Sequence, residues 1–117
     1  MSRAHPAQLL RRLVVGDAAA VAAVVEASRT SEDPLILVAA ALFAPPEADG
    51  LLARAGHAAA TTRDRQLVAI ATAHRRGERE LVDALARDHL VDHPDSLLAA
   101  WIADASHNHH PSEKERS

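Results

Sequence analysis

One spacing occurs twice in this chain and constrains its fold more than any other feature: a glycine and an acid, a helix-length interval, then an Asp or His before proline. Gly16-Asp17 precedes Asp33-Pro34, and Gly77-Glu78 precedes His93-Pro94. Glycine takes the left-handed conformation that ends a helix, and the acid after it can cap the next one. Proline suits the first turn of a helix, where its missing N–H would have no partner anyway. Each unit therefore predicts helix, tight turn, helix, turn, helix, the rhythm of stacked helical hairpins.

The apolar residues favour the same reading. Hydrophobic residues make up 48% of the 117 residues, with one Phe, one Trp and no Tyr, so the core must be built from Ala, Leu and Val. Ala and Leu are strong helix formers, and small side chains let helices approach closely. This length supports one compact domain without covalent staples. A formal net charge of −3 excludes the whole-domain basic footprint of a nucleic-acid binder. The basic residues are Arg except for Lys114, a bias that suggests a GC-rich bacterial source. No cysteine is present, which removes disulfides, thiolate ligands and a thiol nucleophile. The first residues are not followed by a signal-type apolar core, and the apolar run from Pro34 to Pro46 is too short to span a bilayer at about 20 residues. The expectation is a soluble cytoplasmic protein with no membrane and no nucleic-acid partner.

Seven helices follow from the periodicity. Helix one opens at Pro6 with Leu9, Leu10, Leu13 and Val14 on one face, and helix two carries Val21, Val24, Val25 and Ser28. Helix three, Pro34 to Phe43, is apolar on every side and so belongs between neighbours; a buried strand is the competing reading for Leu35–Val38. Ala44-Pro45-Pro46 stops it, and helix four runs from Pro46 or Glu47 to Ala60, weakened by Gly50 and Gly56. Thr61-Thr62-Arg63-Asp64 has the form of a capping box before helix five, which runs to Arg76. Helix six spans about Glu78 to Asp92, and Pro94 opens helix seven with Leu97, Leu98, Trp101 and Ile102. The organisation is a flexible start over residues 1–5, a helical domain over 6–105, and a disordered polar tail over 106–117. The fold class is all-α: three stacked antiparallel helical hairpins plus a capping helix.

The segment from Thr61 through Arg63-Asp64, Gly77-Glu78 and His93-Pro94-Asp95 resembles a tetratricopeptide-repeat (TPR) unit. It is especially similar to the divergent branch around tetratricopeptide-repeat protein thirty-eight. Residues 61–105 carry the likeness, while residues 6–60 share only the hairpin rhythm. The sequence departs from the family at the interlocking positions, where His74 and Val82 stand. Gly16 and Gly77 are also closer together than two full repeats of about 34 residues. The resemblance implies a TPR-like superhelix that offers a helical face to a protein or peptide partner, with no cofactor and no catalytic residue. By analogy the first helix of each pair lines the concave side, making Asp64, Leu67, Ala71, His74 and Arg75 the contact candidates.

Three other clusters carry candidate chemistry. His89 and His93 stand one helical turn apart, as two metal ligands would, yet His89 falls on an apolar stripe and His93 at a helix C-terminus, where structural roles are expected. His107, His109 and His110 could chelate a transition metal adventitiously. Arg75, Arg76 and Arg79 surround the Gly77 turn, where a solvated turn is the simpler reading. No serine lies in a Gly-x-Ser-x-Gly setting and no Gly-rich phosphate loop occurs, so the chain reads as non-catalytic. The alternatives to a partner-binding scaffold are a homo-oligomer covering an apolar end face of Leu97, Trp101 and Ile102, and a metal-binding protein using the histidines.

Overall fold

The computed structural model describes residues 6–108, with side chains from 8 to 105 apart from Pro45. The expected flexible start, His109, His110 and the rest of the tail lie outside the described residues. The described residues form an all-α fold of seven helices: α1 (Pro6–Val14), α2 (Ala18–Ser28), α3 (Pro34–Phe43), α4 (Ala48–Ala58), α5 (Thr62–Arg75), α6 (Arg79–Asp92) and α7 (Leu97–Asn108). None of them is long and apolar enough to cross a membrane.

The two glycine turns close in the same way. Gly16 has φ +88° and Gly77 φ +75°, the left-handed region open to glycine. At the first, Gly16 N–H donates to Leu13 C=O at 3.0 Å and Asp17 N–H to Arg12 C=O at 3.1 Å. At the second, Gly77 N–H donates to His74 C=O at 3.1 Å and Glu78 N–H to Ala73 C=O at 3.0 Å. Both are Schellman motifs, which satisfy carbonyls that the ending helix would otherwise leave bare.

Beyond those turns the two units diverge. Asp17 caps α2, its Oδ1 accepting from Ala19 N–H at 2.9 Å, and Asp33 caps α3 by accepting from Leu35 N–H at 3.0 Å. Pro34 occupies the first turn of α3 as expected. Glu78, by contrast, makes no side-chain cap bond to α6. Pro94 does not open α7. The chain turns once more, with Ser96 N–H donating to His93 C=O at 3.0 Å, and the helix begins at Leu97. Its end also differs from expectation, since α7 continues past Ala105 to Asn108. At the double proline a 3₁₀ turn, Pro45–Glu47, intervenes before α4, closed by Glu47 N–H donating to Ala44 C=O. The expected Thr61 cap is present, its Oγ1 accepting from Asp64 N–H at 3.0 Å.

Packing explains the all-apolar α3: residues Ile36 to Ala41 are buried without a break, and the helix contacts α2, α4 and α5. Leu35–Val38 is thus a buried helix, not a strand. Alanines 20, 39, 40, 48, 55, 71, 73, 86 and 99 lie among the buried residues, so close helix approach stands in for aromatic bulk. Neighbours in sequence pair as hairpins (α1 with α2, α3 with α4, α5 with α6), and α3, α5 and α7 contact one another in succession through α5. One contact goes beyond a linear stack: α1 packs against α7, so the first helix of the array meets the last.

Candidate functional site

The N-terminal ends of α3, α5 and α7 converge on a hollow of about 410 Å³. Four leucines from four helices line it: Leu10 of α1, Leu35 of α3, Leu67 of α5 and Leu97 of α7. Asp33, Arg63, Asp64 and Asp95 are its charged lining residues. The three acids lie just before a helix or in its first turn, where acids meet the positive end of the helix dipole, and Arg63 shares the first turn of α5. Arg63 Nη2 reaches Asp95 Oδ1 at 3.3 Å, tying the start of α5 to the turn before α7. Asp33 and Asp64 have no guanidinium beside them among the described residues.

His89 and Ser96 complete the lining. His89 has no exposed surface, and Ser96 is 6% exposed. His89 Nδ1 lies 2.7 Å from Gln66 Oε1, and its Nε2 lies 3.1 Å from Ser96 Oγ. An amide oxygen can only accept, so Nδ1 carries the proton and donates to Gln66, while Nε2 accepts from the Ser96 hydroxyl. The imidazole thereby joins α5, α6 and the start of α7 through one neutral side chain. Burial lowers its pKa below the ordinary histidine value, with the positive fields of His93 and Arg63 adding to that. Asp92 and Asp95 oppose the shift.

The His89 ring also lies 4.9 Å from that of His93, centroid to centroid. Both His89 nitrogens are nevertheless engaged within the protein, which leaves no lone pair on it for an ion. Among the described residues no group of three or more His, Cys, Asp or Glu side chains could hold a metal. His107 falls in the last turn of α7, and its side chain is not among those described.

The five contact candidates on α5 do not form one surface. Leu67 is 5% exposed and Ala71 wholly buried, so the stripe expected to face a partner is turned largely into the core. The side of α5 open to solvent instead carries Arg65 and Ala69, in line with the exposed cap residue Arg76. Asp64 and Leu67 line the leucine hollow. Ala71, His74 and Arg75 line a second, smaller hollow of about 190 Å³ between α3, α4 and α5, where Arg75 Nε lies 3.4 Å from Asp49 Oδ1. His74 further makes an edge contact with Trp101, at 6.2 Å between centroids.

The proposed oligomer face fares similarly. Ile102 is fully buried, and Trp101 and Leu97 are half-buried. The Trp101 ring lies tilted by 45° against Phe43 of α3, 4.9 Å between centroids, so the chain's Phe and Trp, both half-buried, meet across α3 and α7. Sequence reasoning did not find Gln66, Ser96, Leu10 or Leu35 as site residues. Gln66 falls one turn before the buried Ile70 and two before the buried Ala73, an inward position for a polar group, and that was the available signal. Comparison with family models, curated proteins and solved structures returned no match to this chain.

Proposed function

We propose that the chain is a small helical scaffold that binds a protein or peptide partner, and that the partner docks at the leucine-walled hollow. The observation that carries this reading is the hollow itself, an open space whose apolar walls come from four helices and whose charges lie at its mouth. Concave sites of this size with mostly apolar walls and a few placed polar groups are where binding concentrates. The succession of contacts from α3 through α5 to α7 is what a divergent TPR-like array makes. In this reading α1, packed against α7, and the Phe43–Trp101 contact would cover the inner side of such an array and leave the ends of the helices for docking.

A binding role fits the polar groups better than catalysis does. Ser96 and His89 stand as a hydroxyl and a base, but the group behind the imidazole is a neutral amide. Acyl transfer places a carboxylate there to stabilise the imidazolium that forms.

The lack of native cysteine makes the test clean. A photo-crosslinker attached to a single cysteine at Asp95→Cys, on the rim, is compared with one at Arg87→Cys, on the exposed side of α6, in cells that make the protein. Discrete adducts from the rim and none from α6 are expected. Equal adduct patterns from both, or none from the rim, would contradict the docking role.

A further inference from the structure

We infer that the hollow takes a peptide segment bearing an apolar side chain next to a lysine or arginine. This rests on the docking role proposed above and assigns the chemistry of the partner. The walls select the apolar part: Leu10, Leu35, Leu67 and Leu97 offer no hydrogen-bonding group, and His89 and Ser96 are engaged with each other and with Gln66, so a polar side chain seated there would lose water without full replacement.

The mouth selects the charge. Three carboxylates, Asp33, Asp64 and Asp95, stand there against one guanidinium, Arg63, which Asp95 already engages at 3.3 Å. Each adjoining helix start offsets about half a charge. Asp33 accepts from the α3 N-terminus through Oδ1, one of its two carboxylate oxygens. The mouth is therefore net negative after both offsets are counted, and an acidic segment would be repelled where a basic one is held. Asp33 is exposed and Asp64 half-buried, so these carboxylates are open to a partner's cation and modest in strength. The result is a site that reads one apolar side chain by shape and its neighbour by charge, as helix-in-groove and strand-in-groove recognition do.

Selection of short random peptides on the immobilised full chain tests this, followed by amide-shift mapping on isotope-labelled protein and affinity measurement. Asp33→Asn with Asp64→Asn is the discriminating variant: asparagine caps α3 as well as Asp33 does, and at Asp64, where Thr61 is the cap, it removes the charge at nearly the same size. Expected are peptides with Leu, Ile or Met within two positions of Lys or Arg and shifts centred on Leu35, Asp64 and Leu97. The double variant should bind them about five- to tenfold more weakly, as loss of partly exposed charge pairs implies. Peptides that map to the hollow but lack basic residues, or bind the double variant equally well, would overturn the charge assignment and leave the docking role standing. Peptides that map elsewhere, or no enrichment at all, would overturn both.

Discussion

His89 holds an amide oxygen on one ring nitrogen and a hydroxyl on the other, wholly out of solvent, and its chemistry sets a pH dependence. Its folded pKa is lowered from 6.5, so below that value the unfolded chain binds more protons than the folded one. The stabilisation is fully present above about pH 6.5 and is lost as pH falls through the folded value. Urea unfolding across pH 4.5–8 should show stability falling on the acid side, a slope absent from His89→Gln. Asp17 acts in a separate, more acidic window, because the Arg12 hydrogen bond chiefly lowers its pKa below 3.8; its contribution is lost only as pH drops through that lowered value. The glycines make a second residue-scale prediction. A Cβ at Gly77 would touch nothing within 4 Å, so Gly77→Ala costs only the left-handed backbone, about 1–2 kcal/mol. Gly50, inside α4 and equally unobstructed, should gain about 0.5–1 kcal/mol on becoming Ala. Chemical denaturation of the two variants should move their midpoints in opposite directions. The glycines were legible in the sequence because their requirement is local. The Gln66–His89–Ser96 joint was not, since it needs three helices in place before its members are neighbours.

Helix ends separate the two repeated spacings. Asp17 and Asp33 are short enough to reach back to the first free N–H groups, and Glu78 makes no such bond although it follows the same Schellman turn. Asp17→Ala should therefore lower the unfolding midpoint, and Glu78→Ala should leave it close to that of the parent, as read by thermal or urea unfolding. Equal losses would mean that the acid acts through the helix dipole alone and not through a cap. The same contrast explains why Pro34 opens α3 and Pro94 does not open α7. Asp33 supplies the cap immediately before Pro34, whereas His93 is still finishing α6, its N–H on His89 C=O at 2.8 Å. The likeness between the spacings correctly predicted where helices stop. Where they restart depended on side-chain length and on one further turn, which the shared pattern does not encode.

At the scale of the whole molecule, the helices and their hairpin pairing were readable from periodicity, and the closure of α1 onto α7 was not. Apolar faces announce that a helix is buried without saying by what. For that reason Leu67 and Ala71, taken as a partner-facing strip, are core residues, and Leu97, Trp101 and Ile102 do not form an open end. Closure also gives α1 a structural weight that a terminal helix of a linear stack would lack. Leu13, with no exposed surface, should lose about 2–5 kcal/mol on truncation to Ala, with a single cooperative transition rather than separate loss of α1. Whether the array closes bears on where the proposed partner would dock, because an open helical face and a hollow at the helix ends are different sites. The chain contains one Phe and one Trp, so a nuclear Overhauser effect between their rings identifies the α3–α7 contact without ambiguity. Strong cross-peaks between the Phe43 ring and the Trp101 indole are predicted in the free protein. Their absence, with Trp101 exposed to solvent, would contradict the approach of α7 to α3 and move the proposed binding face from the helix ends to the sides of those helices.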